Sequence, residues 1–331
     1  MKKSRHYKYI SIKQLISIAK IFNSIISTRR KKRGRPLKYS DEVIMFLFFL
    51  KVARRFSFRV LRAVYQDLFE GEVPSLSTLH YRFKRLDSQR LRSMVTILAI
   101  LIERKLGRIK REYTFCDGTG FGFEKKVGLK YLRGKETKDV KEHVKVELLV
   151  GGTSAGDYVI GINVGPPYGD ERKLLLQLFE ELQIVGDGYF IADALYGMSN
   201  KVLEEIFERG FIPVIPVRDG IHTRIRSEIR KFVSEIYNKK RSIYSQRYRI
   251  EQVIWKIKNS YGDKEKAKSY DMGVKSVIAK VILFNYCFLI SLLFFANLFK
   301  YQIDLKKIRF FRITLKIKIF FEQTQLKIIL F

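Results

Sequence analysis

The spacing of apolar residues changes near the middle of the chain. From Glu112 onwards, the helical spacing of three to four residues gives way to β-rich runs. Three such runs follow one another, and strand-like and helix-like runs then alternate. This order predicts an α/β fold, a mixed sheet flanked by helices. The predicted strands are 113–123, 144–150, 158–164, 189–192 and 211–217, and the predicted helices among them are 170–182 and 200–208.

The charge balance restricts the class of partner. The chain has 65 Lys and Arg against 33 Asp and Glu, a formal net charge of +32. An enzyme of small metabolites has no need of such a field, and self-repulsion opposes the compact state. A polyanion offsets this repulsion, because Lys and Arg contacts to phosphate release condensed counterions. Basic residues spread along the whole chain favour an extended nucleic-acid surface over a charged tail.

Cysteine usage and the N-terminus indicate the compartment. Cys116 and Cys287 are the only cysteines and lie far apart in the sequence, so neither a disulfide framework nor a structural zinc site is expected. The basic N-terminus is not followed by an uninterrupted apolar run and a cleavage site, as a signal peptide would be. We expect a reducing, cytoplasmic setting.

One apolar stretch raises a membrane alternative. Residues 281–299 are nearly uncharged and are flanked by Lys280 and Lys300. About 20 apolar residues suffice to cross a bilayer. Asn285 and Asn297 interrupt the stretch, and it is solitary in a very basic chain. A buried core helix is therefore favoured over a membrane span.

The N-terminal third contains a basic linker. Residues 1–30 have a helical apolar pattern, and a basic linker at 29–38 follows them. Its Arg-Gly-Arg-Pro core suits an extended segment in an A·T-rich minor groove, read by Arg33 and Arg35. A solvated interdomain linker is the alternative. Either interpretation predicts contact with phosphate.

Two helix-like segments follow the linker. Residues 57–69 and 75–86 are separated by a short turn that contains glycine. A helix, a short turn and a second, basic helix predict a helix-turn-helix, in which Arg82 and Lys84 would contact DNA. Two packed helices with a charged face would give the same pattern.

Two acids stand at strand ends or beside glycines. Asp117 lies in the run Phe-Cys-Asp-Gly-Thr, and Asp193 follows an apolar strand at its carboxyl end, where open α/β sheets place their sites. A charge there is costly unless it is hydrogen-bonded or binds a metal. Each acid alone could be a turn or cap residue. The glycines at 118, 120 and 122 lack the spacing of a dinucleotide loop and predict a strand that other groups approach closely.

A polar row lies on one predicted helix after residue 243. At about 100° per residue, Tyr244, Arg247, Glu251 and Lys258 fall within roughly 60° of one face, beside an apolar stripe. The stripe would pack on the sheet and leave the polar row at its border. An amphipathic helix with a salt bridge between Arg247 and Glu251 would account for the same residues.

This row resembles a known family of enzymes. The spacing Tyr244-(2)-Arg247-(3)-Glu251-(6)-Lys258 matches the Y-R-E-K signature of DDE transposases from insertion sequences of the fourth and fifth families. This four-point spacing is the most specific part of the resemblance.

Other segments extend the resemblance over about residues 110–300. Asp117 with the following Gly-Thr is similar to the first-Asp motif of the family, and residues 192–197 are similar to its second, an Ala-Asp-x-x-Tyr pattern. Residues 211–218 are similar to the strand that usually follows. The resemblance implies an RNase H-like fold, with the two Asp residues on neighbouring strands and the Glu on a later helix.

The resemblance also implies a domain organisation. Residues 1–105 would be a small all-helical DNA-binding region, and 106–300 the RNase H-like catalytic domain. The tail at 301–331 alternates apolar and basic residues, which is typical of a strand or of a poorly packed appendage, and it receives no role.

The implied chemistry is metal-dependent cleavage of DNA at element ends and strand transfer into target DNA. Two Mg²⁺ ions, which Mn²⁺ could replace, would activate the attacking water or hydroxyl and stabilise the leaving oxygen. Asp117 would bridge both ions, with Asp193 and Glu251 holding one each, since Mg²⁺ prefers carboxylate oxygen.

The resemblance implies further partners. Tyr244, Arg247 and Lys258 would contact phosphates near the cut end of double-stranded DNA, and a homodimer would form in the DNA complex. The protein would be cytoplasmic, without a membrane. An inactive DNA-binding remnant or repressor of the same fold is the alternative, and a membrane-anchored basic protein is a third possibility.

Overall fold

A mixed sheet organises the protein. The computed structural model describes residues 10–26, 38–68, 72–124, 130–133, 136–139, 143–186, 188–218 and 225–307. The strands are β1 (Tyr113–Phe123), β2 (Lys130–Arg133), β3 (Glu136–Asp139), β4 (His143–Thr153), β5 (Gly156–Gly165), β6 (Tyr189–Ile191), β7 (Ile212–Val214) and β8 (Lys264–Glu265). Five follow the order β5–β4–β1–β6–β7, β8 pairs with β1, and β2 and β3 form a separate pair.

Strand directions differ on the two sides of β1. On one side β4 and β5 continue the sheet antiparallel. On the other side β6 is parallel to β1 and β7 is parallel to β6, while β8 runs parallel to the last residues of β1. The expectation of a mixed sheet, three consecutive strands and then strand–helix alternation, is confirmed.

Helices cover the sheet and build the N-terminal part. They are α1 (Ile12–Ile26), α2 (Asp41–Arg54), α3 (Phe58–Leu68), α4 (Leu76–Lys84), α5 (Ser88–Leu106), α6 (Glu171–Leu182), α7 (Asn200–Glu208), α8 (Glu228–Lys239), α9 (Arg241–Tyr244), α10 (Tyr248–Tyr261) and α11 (Tyr270–Lys307). Helices α3 and α4 agree with the two predicted helix-turn-helix segments. Helix α5 and the β2–β3 pair were absent from the sequence-based assignment.

One apolar core joins the N-terminal helices to the sheet. Helix α5 packs against both α11 and strand β5, and α2 packs against α1, α10 and α11. Buried side chains of α2, α5 and α11, such as Leu47, Leu98 and Ile282, belong to the same cluster as the sheet residues Phe115 and Val150. The N-terminal helices therefore fold onto the sheet, and experiments on them require the full chain.

Helix α11 contains the apolar stretch that raised the membrane alternative. Its residues 270–294 are long and apolar enough to cross a membrane, yet 67% of their most apolar window is buried inside the protein. Lys280, at the start of the stretch, is itself buried. It forms an ion pair with Glu265 and donates a hydrogen bond to the carbonyl of Gly262 at 2.7 Å. The described part of α11 is packed as a core helix.

The Asn285 side chain satisfies backbone groups at the edge of the sheet. This fully buried amide accepts a hydrogen bond from Val159 N at 2.8 Å and donates one to Val159 O at 2.7 Å. Val159 lies in the outer strand β5, where the register with β4 shifts. The amide therefore replaces the strand partner that an edge residue lacks, and it anchors α11 to β5.

Replacing Asn285 with Leu should destabilise the protein by about 2–4 kcal/mol, because both backbone groups of Val159 would be buried without partners. Urea denaturation monitored by circular dichroism would measure the free energy of unfolding. Ser291→Ala is the matched control, since the Ser291 hydroxyl only donates to Cys287 O within the same helix. Equal stability of the two variants would contradict the anchoring role of the amide.

Candidate active site

Asp117 lies in the middle of the central strand. Its side chain is 17% exposed, and its Oδ2 accepts a hydrogen bond from Arg247 Nη2 at 3.3 Å. The other oxygen, Oδ1, accepts from Gly118 N at 3.1 Å. Strand β4 pairs with β1 at this position, whereas β6 pairs only with residues 113–115 and β8 only with 122–123, so the sheet holds Asp117 from the β4 side.

Asp193 directly follows the neighbouring parallel strand. The register pairs Phe115 of β1 with Ile191 of β6, and two residues further along each strand are Asp117 and Asp193. Asp193 Oδ1 accepts a hydrogen bond from Leu195 N at 2.9 Å, which shapes the turn after β6. Asp193 itself lies two residues beyond the end of β6, after the last residue of that strand that pairs with β1, and its negative charge acts on Asp117.

Glu251 reaches the site through an arginine. Arg247 Nη1 donates to Glu251 Oε1 at 2.7 Å, while Nη2 of the same guanidinium contacts Asp117. Glu251 lies in the first turn of α10 with a side chain that is 58% exposed. The salt bridge expected for an amphipathic helix is present, and it also links the two acids.

The predicted helix after residue 243 is interrupted. Residues Ser245–Arg247 form a 3₁₀ turn between α9 and α10. This turn is tighter than an α-helix and changes the angular spacing of Tyr244 from the residues that follow. The polar row nevertheless faces the two aspartates, because charges on Asp193 and Asp117 act on both Tyr244 and Arg247.

Lys258 reaches the strand that carries Asp117. Its Nζ donates a hydrogen bond to Thr119 Oγ1 at 2.7 Å and lies 5.3 Å from the centre of the Phe121 ring. Burial lowers the pKa of Lys258, and the nearby positive charge of Lys280 adds to this effect. Arg247 and Lys258 therefore contact β1 on the same face, and Glu251 contacts Arg247.

The glycines beside Asp117 leave room for neighbouring side chains. A Cβ atom at Gly118 would lie 2.5 Å from Cδ of Glu171, and one at Gly120 would lie 2.8 Å from Cδ2 of His143. The predicted close approach is confirmed at these two positions. Gly122 has no such neighbour. The glycines face α6, whereas Asp117 faces α10.

Burial and neighbouring charges shift the pKa of Asp117. Burial raises it to about 6; Arg247 opposes the rise, and negative charge on Asp193 and Glu171 adds to it. Burial lowers the pKa of Arg247, but the carboxylates of Asp117, Glu251 and Asp193 raise it more. One guanidinium is therefore shared among three carboxylates.

Asp117, Asp193 and Glu251 are the candidate metal ligands. Among the residues that the structure describes, no three Asp, Glu, His or Cys side chains lie close enough together to hold a metal ion. Asp117 and Asp193 fit one chemically, since they are hard oxygen ligands. Glu251 is held by Arg247, whose buried Nε has no partner among the described residues. Its carboxylate would join the ligand set on leaving that arginine.

The predicted DNA-contacting residues of the N-terminal part lie elsewhere. Arg82 is engaged within the protein, since it donates to Asp41 Oδ1 at 2.5 Å and to Tyr39 O at 3.1 Å. Lys84 is exposed at the end of α4. Arg33 and Arg35 lie outside the described residues. The structure thus joins Arg247 to Asp117 and Glu251 and places Lys258 on Thr119 of the same strand. Asp193 and Tyr244 interact with these groups electrostatically.

Comparison with known proteins identifies the family. Residues 108–286 match the transposase DDE domain family, over more than half of the chain. The chain belongs to the transposase DDE domain family. It is also 38% identical over 287 residues to an uncharacterised protein of Aquifex aeolicus, covering 85% of this chain and 89% of that protein. The matched segment contains all three predicted acids and the whole Y-R-E-K row.

Solved structures give weaker likenesses to this DDE domain protein. A piggyBac transposase synaptic complex with hairpin DNA is 12% identical with a TM-score of 0.43, covering 87% of this chain and 76% of that one. A Mos1 mariner paired end complex with Mn is 14% identical with a TM-score of 0.22, covering 78% and 89%. Scores of this size do not establish a shared fold.

A buried acid of the DDE domain was missed by the sequence reasoning. Glu147 of β4 is fully buried on the opposite face of the sheet from Asp117. Its Oε1 accepts hydrogen bonds from Tyr196 OH and from Cys116 Sγ, the latter at 2.7 Å. Tyr196 belongs to the Ala-Asp-x-x-Tyr motif, so Glu147 anchors the turn that follows Asp193. A charged residue inside an otherwise apolar strand was the available signal.

Burial raises the pKa of Glu147 to about 8, although the hydrogen bonds from Cys116 and Tyr196 oppose the rise. Between the ordinary value of 4.5 and about 8, the folded protein keeps a proton that the unfolded chain releases. The free energy of unfolding therefore falls as pH rises through this window. Glu147→Gln carries no such proton, so its stability relative to the parent should rise with pH, by up to about 1.4 kcal/mol per pH unit.

Urea denaturation of both proteins across this pH range would measure that difference. Glu204→Gln, at an exposed position of α7, is the matched control and should show a pH-independent difference from the parent. A pH-independent difference for Glu147→Gln as well would show that Glu147 is ionised in the fold.

Proposed function

We propose that the protein is a DDE transposase of the Y-R-E-K group, which cleaves DNA at the ends of an insertion sequence and transfers the strands into target DNA. The observation that carries this proposal is that Asp117 on β1 interacts electrostatically with Asp193, which follows the parallel neighbour β6, and is linked to Glu251 through Arg247. Membership of the transposase DDE domain family supports it.

The fold proposed for the domain is RNase H-like. The order β5–β4–β1–β6–β7, with three antiparallel strands on one side and parallel strands on the other, supports this assignment. Asp117 on the first strand, Asp193 after a neighbouring strand and Glu251 on a later helix agree with the arrangement that the resemblance implies.

The proposed cofactor is Mg²⁺, as two ions that Mn²⁺ can replace, held by Asp117, Asp193 and Glu251. When bound, such ions lower the pKa of an attacking water or hydroxyl and stabilise the leaving 3′-oxygen. Asp117 is suited to the shared position, since it lies between Asp193 and the Arg247–Glu251 pair. Pairing of β1 with β4 holds the backbone of Asp117 in the sheet.

The polar row is proposed to hold the DNA end. Arg247 offers a planar guanidinium that can bind a phosphate through two hydrogen bonds, and Lys258 offers a point charge. Tyr244 is half-buried with its ring against Tyr237, at 5.2 Å between ring centres, so its hydroxyl is held with little freedom. Arg247 has to exchange one carboxylate for phosphate in this role, which frees Glu251.

The proposed partners are double-stranded DNA of the element ends and of the target, with a homodimer in the complex and a cytoplasmic location. A net charge of +32 supports a polyanionic partner. The division at 1–105 and 106–300 is proposed as a functional one, with Arg33, Arg35 and Lys84 as DNA contacts and Arg82 as the residue that fixes α4 to α2. The tail at 301–331 lies almost entirely outside the described residues.

A catalytically inactive DNA-binding remnant is the second candidate. One observation favours it: Glu251 is mostly exposed and engaged by Arg247 rather than grouped with the two aspartates. On this alternative the pair would be a surface salt bridge worth about 0.5 kcal/mol or less.

Glu251→Gln separates the two candidates. On the proposed function it should abolish Mg²⁺-dependent cleavage of DNA that contains the flanks of this gene, because a metal ligand is lost, while the fold and DNA binding persist. Arg247→Ala should chiefly weaken binding of end DNA. Gel-based cleavage and binding assays would measure the two effects, with Glu204→Gln as the matched exposed control on another helix. A Glu251→Gln protein that cleaves at the parental rate would refute the assignment.

Binding of duplex DNA by the full chain should depend steeply on salt. A protein that contacts six to ten phosphates loses roughly 10³- to 10⁵-fold in affinity between 50 and 200 mM salt. We expect at least the lower figure, about 10³-fold, in fluorescence anisotropy measured in a chelator to prevent cleavage. An affinity that is independent of salt would argue against a phosphate-binding surface.

A further inference from the structure

A cavity outside the candidate active site lies where the N-terminal helices meet the start of α11. Its volume is about 760 Å³, within the range of about 300–1,000 Å³ typical of ligand sites. Side chains from the end of α2, from α3 and α4, and from the segment between β8 and α11 line it. Its walls come from parts of the chain far apart in sequence.

The lining is basic. It contains five Lys or Arg side chains and one His, and none of the described residues that line it is acidic. Lys51, Lys84 and Lys266 enter from three different elements, so basic residues border the cavity on more than one side; Lys266 Nζ also donates a hydrogen bond to Arg55 O at 3.2 Å. Like charges brought together in this way repel one another and need an anion to offset the repulsion.

Lys51 is the clearest sign of a missing anion. Its ammonium lies 5.3 Å from the centre of the Phe58 ring, and no described carboxylate forms an ion pair with it. The nearest acid that acts on it, Glu265, is already paired with Lys280. Burial lowers the pKa of Lys51, and the charges of Lys280 and Lys266 add to the effect. Lys51 is half-buried, and a charge taken partly out of water is normally paired, so an anion that enters the cavity could pair with this ammonium.

Aromatic rings form another wall. Phe58 packs edge-on against His80, with 5.9 Å between ring centres, and lies 5.6 Å from the ring of Phe83 beneath it. His80 is exposed and Phe58 is half-buried, so both present ring surface to the cavity. A simple inorganic anion needs no such wall. A base with its phosphate does, because bases stack on aromatic side chains while basic groups hold the backbone.

We propose that this cavity is a binding site for one unpaired nucleotide of a DNA strand. The base lies against Phe58 and His80, and the phosphate is held by Lys51, Lys84 and Lys266. The inference rests on the proposed function only in taking DNA as the source of the nucleotide. A duplex, about 20 Å across, is too wide for the cavity, so the site selects strand ends and unpaired segments.

The test compares two short single strands bound by the full-length protein in a chelator, without divalent metal. One is a fluorescein-labelled oligothymidylate of eight nucleotides, and the other is an abasic strand of equal length and charge. Fluorescence anisotropy should show at least about a tenfold preference for the strand with bases. Phe58→Leu and His80→Ala should each reduce this preference, whereas Phe232→Leu, at an exposed ring on α8, should keep it.

Lys51→Met tests the phosphate contact. It should lower the affinity for both strands and reduce the slope of log affinity against log salt by about 0.7, the value for one phosphate of a single strand. Lys201→Met, at an exposed position of α7, is the matched control and should leave the slope unchanged. Thermal denaturation would show that each variant is folded, and His80→Ala, at an exposed position, tests the stacking without altering the core.

Three outcomes would overturn the inference: equal affinity for the two strands, an unchanged preference in His80→Ala, or displacement of the strand by inorganic phosphate as readily as by thymidine monophosphate. Each leaves the proposed catalytic function standing, because that function is tested by metal-dependent cleavage. Conversely, a Glu251→Gln protein that cleaves at the parental rate would refute the catalytic assignment and leave the strand-binding result unaffected.

Discussion

Pairing of β1 along both edges is the constraint on which the rest of the structure depends. Strand β4 continues the sheet antiparallel on one side, and β6 continues it parallel on the other. Helix α10 lies against one face of β1 and α6 against the other, and the residues of the strand alternate between the two faces. Asp117 and Thr119 therefore face α10, while Cys116 and Gly118 face α6 and the motif turn.

Asp117 and Glu147 lie on opposite faces of the sheet, in different environments. On the α10 face, Asp117 contacts the guanidinium of Arg247, and with a pKa of about 6 its carboxyl group is mostly ionised at neutral pH. On the opposite face, Glu147 is held neutral by burial and fixes Tyr196. Glu147 supports the turn that follows Asp193, whereas Asp117 is the acid for which a catalytic role is proposed. Environment, and not residue type, separates their roles.

Among the described basic residues that are largely removed from solvent, some pair with a carboxylate and Lys51 does not. Lys280 and Arg82 are buried against carboxylates of Glu265 and Asp41, and these pairs tie elements together. Lys51 is half-buried without a carboxylate partner among the described residues, and it lines an open cavity. A buried pair leaves no charge for a ligand, whereas an unpaired cation near a surface opening does. The high net charge alone could not distinguish these situations.

The sequence by itself determined the type and order of most elements, because strand and helix periods are local properties. It also singled out Asp117, Asp193 and the Y-R-E-K spacing, since acids beside apolar strands and fixed helical intervals are visible in one dimension. The tertiary structure alone decided that Arg247 bridges two acids, because Asp117 and α10 are distant in the chain. For the apolar stretch of α11 the sequence favoured a core helix, and the structure supplied its burial and the contacts of Lys280 and Asn285 with distant residues. A membrane and a protein core bury the same apolar stretch, so only contacts with distant parts of the chain distinguish them.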